Sequence, residues 1–160
     1  MLLLACLWNW QLNSSFAEED SDEVYLFTTF RGNGEEGLRF AYSFDGYRWV
    51  NVPGKFLKPR VGRSQLMRDP SLIRGPDGIF HLVWTTEWKG DKGFGHASSS
   101  DLVHWSEQQF VPVMEHEPST VNVWAPELYY DDEHDRYIIC WASTIPDRFP
   151  DHLEERTNNH

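Results

Sequence analysis

Two cysteines in 160 residues are too few for a disulfide framework. Cys6 falls in the apolar start of the chain, and Cys140 lies in a strand-like run where it reads as a small apolar residue. Long apolar runs are missing too: nothing reaches the roughly 20 residues that a membrane span needs. Basic residues are scarce, with 14 Lys and Arg against 25 Asp and Glu. The formal net charge of -11 leaves no electrostatic footprint for a phosphate backbone, which argues against nucleic-acid partners. The seven histidines show neither HExxH nor paired spacing, so no metal site can be read from them. No segment carries the period of an amphipathic helix.

What is present is aromatic and repetitive. Aromatic residues make up 15% of the chain, a share that suits a strand-rich core and also the stacking of sugar faces. The phrase Ala41-x-Ser43-x-Asp45-x-x-x-Trp49 returns 56 residues later as Ala97-x-Ser99-x-Asp101-x-x-x-Trp105. Gly37 and Gly93 keep the same shift, and residues 24–29 line up with residues 80–85. Pro70-x-Leu72, followed by a turn and a strand ending at Trp84, returns as Pro126-x-Leu128 and a strand ending at Trp141. Repeats of this length built from short strands mark a β-propeller, one repeat per blade. Residues 23–52 supply three strands of one blade, 71–113 a full blade, and 127–143 the start of a third. A closed propeller needs roughly 4–8 blades. The chain is therefore expected to be the N-terminal part of a larger protein or a fragmentary gene product, with the first blade's missing innermost strand supplied from the far end.

Residues 1–17 begin MLLLACLW and turn polar, with Ser15-Phe16-Ala17 similar to a signal-peptidase site. Leu3-Leu4-Ala5-Cys6 also looks like a bacterial lipobox, which would make Cys6 a lipid anchor. Either reading predicts a secreted, periplasmic or cell-surface protein. Residues 18–23 form an acidic linker, and 24–160 the partial propeller. Short aromatic and branched runs bounded by Gly, Asn and Asp predict strands over 24–30, 38–43, 49–52, 71–74, 79–86, 94–98, 104–112, 128–130 and 137–143.

Comparing equivalent positions separates scaffold from chemistry. Asp45 and Asp101 recur and read as turn residues capping local backbone. Trp49 and Trp105 recur and read as packing between blades. Asp69 does not recur: Ala125 stands 56 residues on, Trp124 replaces Arg68, and Glu127 replaces Ser71. Asp69 also heads the innermost strand of its blade, where a side chain can enter the axial funnel on which all blades converge.

Leu66-Met67-Arg68-Asp69-Pro70-Ser71-Leu72, Gly75-Pro76-Asp77-Gly78, Phe80-His81-Leu82-Val83-Trp84-Thr85, Ser99-x-Asp101-Leu102-x-x-Trp105 and Trp124-Ala125-Pro126-Glu127-Leu128 follow one another in order. This ordered set resembles glycoside hydrolase family 43. The resemblance implies a five-bladed propeller, all-β, and an inverting glycosidase of the α-L-arabinofuranosidase or β-xylosidase type. Its substrate would be an arabinose- or xylose-containing polysaccharide or oligosaccharide. It carries the general base onto Asp69. The general acid and the carboxylate that raises its pKa would come from the third and fourth full blades, beyond His160. Arg68 would keep the base ionised or make a plain ion pair. Trp124 would form a sugar-facing wall, and Glu127 would accept a substrate hydroxyl or tie blades together. Trp84, Trp88 and His81 read as packing. No cofactor is implied. Some relatives hold a cation in the axial channel, through residues that would lie beyond this chain.

Three rivals stand beside this reading. A fructan- or sucrose-acting glycosidase also carries Arg-Asp-Pro, but in a later blade and after an Asn-Asp-Pro motif absent here. A sialidase is suggested by Ser43-Phe44-Asp45-Gly46-Tyr47-Arg48-Trp49, whose Asp-to-Trp spacing is one residue short. The third is a propeller that binds carbohydrate or a protein with catalysis lost. If the chain were the whole product, it would be expected not to hydrolyse, because an unpaired base cannot protonate a leaving group.

Overall fold

The computed structural model describes residues 23–148. The expected signal segment, the expected lipid anchor at Cys6 and nearly all of the expected acidic linker lie outside them. Nine strands follow one another: β1 (Tyr25–Thr29), β2 (Arg39–Ser43), β3 (Val50–Asn51), β4 (Arg68–Arg74), β5 (Phe80–Thr85), β6 (Gly93–Ser99), β7 (Gln109–Pro112), β8 (Trp124–Asp131) and β9 (Arg136–Ala142). They form three antiparallel sheets in chain order, β1-β2-β3, β4-β5-β6-β7 and β8-β9. Among the described residues there is no helix, and so none long and apolar enough to cross a membrane. The protein is all-β.

The turns form where the sequence placed them, for local chemical reasons. Between β4 and β5 the Gly75 N–H donates to the Ile79 carbonyl at 2.7 Å, and Gly78 takes a φ of 82° that suits glycine. The two Ser-x-Asp phrases fold alike. The Asp45 carboxylate accepts the N–H groups of Tyr47 and Arg48 at 2.9 and 2.8 Å. The Asp101 carboxylate accepts those of Val103 and His104 at 2.9 and 2.7 Å, and His104 Nδ1 lies 2.7 Å from its other oxygen. These contacts hold both carboxyls below the usual carboxylate range. The His104 side chain is the largest cause at Asp101, and the Arg48 N–H at Asp45.

A depressed folded-state pKa gives stability that is fully present above the ordinary value of 3.8 and lost as pH falls through the folded one. The melting temperature is therefore expected to drop on acidification below about pH 4, and Asp101→Asn should flatten that dependence. Thermal melts of both proteins from pH 7 to pH 2 check this. Parallel curves would show that the turn contributes nothing through its charge.

Side chains of the middle sheet reach both ways. Leu82 and Trp84 of β5 join Phe40 of β2, Leu38 just before that strand and Met67 in one buried cluster. Val83, on the opposite face of the same strand, joins Phe94, Met114 and Val123, with Leu128, Ile139 and Trp141 packed against them. Alternation sends neighbouring residues to opposite faces, and here both faces are covered, so β5 is apolar almost throughout. Trp84 is fully buried. Gly95 lies flat beneath its indole, where an added Cβ would fall 2.1 Å from Trp84 Cε2.

Three expectations are corrected by the structure. β2 pairs Ala41 with Phe27, whereas β6 pairs the equivalent Ala97 with Leu82, so the strands before them match at a shift of 55, not 56. Counted between these pairs, the connection from β1 to β2 is one residue shorter than that from β5 to β6, and that one residue decides which side chains share a face. The two repeated tryptophans also part ways. Trp105 packs against the first buried cluster, but Trp49 is 45% exposed and meets Phe27 edge-on at 5.6 Å, within its own sheet. Cys140 lies in β9 as expected, yet it is an exposed free thiol and not a packed one.

The first strands of the sheets stand side by side. β4 touches both β1 and β8. The Thr28 hydroxyl donates to the Pro70 carbonyl at 2.6 Å, and the Leu128 N–H donates to the Ser71 hydroxyl at 3.2 Å. This alignment creates the groove in which the candidate site lies.

Candidate active site

The head of β4 is not regular. Arg68 pairs with Thr85 and Ser71 with Val83, so Asp69 and Pro70 together oppose the single residue Trp84. β8 does the same: Trp124 pairs with Ala142 and Glu127 with Cys140, leaving Ala125 and Pro126 opposite Trp141. Each is a β-bulge, a device that re-aims a side chain and increases local twist. Proline suits the place because it has no N–H to leave unpaired. Asp69 and Ala125 both have a left-handed backbone, with φ of 46° and 45°. Such a conformation costs a non-glycine residue about 1–2 kcal/mol. The bulge belongs to the scaffold, since it recurs. The carboxylate at its tip occurs once.

Asp69 is exposed and faces an open groove with a volume of about 380 Å³ along β1, β4 and β8. Glu127 lines the same groove, as do Thr28, Ser71 and Ala125. One oxygen of Asp69, Oδ2, accepts a hydrogen bond from the Thr85 hydroxyl at 3.1 Å. Thr85 is itself buried, and its oxygen accepts the Ala125 N–H at 2.8 Å.

Arg68 turns to a different neighbourhood. Its guanidinium lies over the Trp88 ring at 4.0 Å and over the Phe30 ring at 5.1 Å. Its Nη1 donates to Asn33 Oδ1 at 2.9 Å, and Trp88 Nε1 donates to the same oxygen at 2.6 Å. Trp124 continues the group: its Nε1 donates to the Trp88 carbonyl at 2.9 Å, and the two indoles meet edge-on at 5.8 Å. Among the described residues no ion pair joins Arg68 to Asp69. The loop carrying Asn33 is pinned by Gly34, whose carbonyl accepts the Met67 N–H at 3.0 Å. A Cβ on Gly34 would come within 2.6 Å of the Met67 carbonyl oxygen.

The structure thus brings Asp69 and Glu127 into one groove and sets Arg68 and Trp124 together at the heads of β4 and β8. Trp84 is buried, and His81 packs between His96 (Nδ1 to Nε2 3.4 Å) and the Tyr137 ring at 4.8 Å. Trp88 departs from the packing expected of it, being 41% exposed. Asn33 and Thr85 were not singled out from the sequence. Asn33 reads as part of a Gly-Asn-Gly turn. At the 56-residue shift read from the sequence Thr85 falls on Thr29, so a search for residues that break the repeat passes over it, although at the strands' own shift of 55 its counterpart is Phe30.

Among the described residues no three His, Cys, Asp or Glu side chains gather where a metal ion could sit. Chemically, the groove offers one carboxylate fixed through a single oxygen, a second without a hydrogen bond among the described residues, and an aromatic and cationic cluster beside them. Residues 20–160 match a protein family described as a probable glycosyl hydrolase domain, related to glycoside hydrolase family 43. Comparison with curated proteins finds no match.

Proposed function

The chain belongs to this family of probable glycosyl hydrolase domains, and on that premise we propose that it carries the general-base side of an inverting glycosidase site, with Asp69 as the base. One observation carries the reading. The same strained bulge occurs twice, and at Asp69 it presents to the groove a carboxylate that its counterpart Ala125 lacks. In an inverting reaction one carboxylate takes a proton from water on one face of the sugar. A carboxylic acid about 6.5–9.5 Å away protonates the leaving oxygen on the other. The proposal assigns that acid to none of the described residues.

The substrate class is an arabinose- or xylose-containing polysaccharide or oligosaccharide, bound along the groove. Trp124 and the half-exposed Trp88 supply an apolar wall for a sugar face, held in place by the Arg68 stack. Glu127, whose side chain has no hydrogen bond among the described residues, accepts a sugar hydroxyl. The three sheets are read as consecutive blades of a five-bladed propeller, supported by the repeat and by the side-by-side first strands. A polysaccharide substrate fits a secreted, periplasmic or cell-surface location.

The test is hydrolysis of 4-nitrophenyl α-L-arabinofuranoside and β-D-xyloside by the natural full-length gene product, with the anomer first released followed by proton NMR. The inverted anomer is expected. Retention of configuration, or no release from either glycoside, would remove the reading.

A further inference from the structure

We infer that Thr85 is a positioning residue for the Asp69 carboxylate, fixing its Oδ2 and leaving Oδ1 to face the groove. The inference rests on Asp69 being the base. A threonine hydroxyl has one proton to give and two lone pairs to receive with. Here the Ala125 N–H can only donate, so it occupies a lone pair of Thr85, and the hydroxyl proton goes to Asp69. The chain Ala125 N–H to Thr85 O–H to Asp69 carboxylate therefore runs in one direction only. Bonds aligned in this way polarise one another.

Thr85 is suited to be the fixed member. It is 1% exposed, and branching at Cβ restricts its rotamers. Asp69, by contrast, is exposed on a bulge, and among the described residues its side chain has no other hydrogen-bond partner. Without Thr85 the carboxylate would turn about its own side-chain bonds, and no oxygen would keep a set direction toward a water in the groove.

The internal comparison shows that the bulge's backbone conformation does not need the hydroxyl. In the third sheet Ala142 pairs with Trp124 as Thr85 pairs with Arg68, so Ala142 occupies the equivalent position. The bulge there forms with the same φ and no hydroxyl behind it. Within one chain, the hydroxyl stands where the bulge carries a carboxylate, and an alanine stands where it carries an alanine. Thr85 also ties the base to the neighbouring bulge, whose preceding residue is Trp124. The carboxylate and the aromatic wall then hold a constant spacing.

The experiment compares the full-length protein with Thr85→Val, Thr85→Ser and Asp69→Asn on the two aryl glycosides named above. Thr85→Val is expected to lower kcat about tenfold or more while KM stays put, because a misplaced catalytic group costs rate and not ground-state binding. Thr85→Ser, which keeps the hydroxyl, should restore kcat even if Thr85→Val folds poorly. Undiminished kcat in Thr85→Val beside an inactive Asp69→Asn overturns the inference alone. So does a Thr85→Ser as impaired as Thr85→Val, which would make the residue merely structural. An active Asp69→Asn, or a parent without hydrolysis, overturns the reading beneath it and the inference together.

Discussion

Asp69→Asn is expected to lower kcat by about two to four orders of magnitude, the range that one positioned general base contributes. The substitution is chosen because it isolates charge. Asp69 sits at a φ of 46°, and asparagine tolerates the left-handed region as readily as aspartate. The amide oxygen can still accept the Thr85 hydroxyl, so the bulge and its link to Ala125 survive. What is lost is the ability to take a proton from water. Because Asp69 is exposed and in none of the ion pairs among the described residues, the melting temperature should barely move. Steady-state kinetics and a thermal melt on the same preparation check both halves. Kinetics unchanged from the parent would reduce Asp69 to a residue kept for its backbone conformation.

Trp84→Ala is expected to cost about 3–5 kcal/mol, the usual range for removing a large buried aromatic side chain. That is comparable to the whole stability of many domains, about 5–15 kcal/mol, so the protein should unfold or lose cooperativity near physiological temperature. The reason is position. Trp84 is 0% exposed, stands in the cluster that joins the first two sheets, and rests on Gly95, which has no side chain to move into the space. Its Nε1 is buried without a partner among the described residues, so Trp84→Phe gives up little polar interaction and should cost far less. Urea denaturation of the three proteins measures the difference. An alanine variant as stable as the phenylalanine one would mean that the sheets are held together elsewhere.

Strands and turns were legible because short-range chemistry sets them. Gly75-Pro76-Asp77-Gly78 announces a tight turn, and Ser99-x-Asp101 a local cap, whatever surrounds them. Asp69 was legible by contrast with Ala125. The bulges were not, since a bulge is a mismatch between two strands and neither strand records it alone. The slip that aligns Phe27 with Leu82 escaped notice for the same reason: the repeat in β2 and β6 keeps a shift of 56, while β1 and β5 keep 55. Trp49 misled because its type matches Trp105 but its covering does not. Trp88 and Asn33 took on meaning only when the fold set Arg68 between the Trp88 ring and the Asn33 amide. Thr85 shows the limit of reading by exception. Thr85 looks repeated beside Thr29 at a shift of 56, yet at the shift of 55 that the strands keep its counterpart is Phe30.

The bulge at Ala125 has the backbone of the bulge at Asp69 before any chemistry is placed on it. Alanine and aspartate codons can differ by a single base. In genetic terms, the carboxylate can be won or lost at either bulge by a point change, and the backbone that aims it is inherited unchanged.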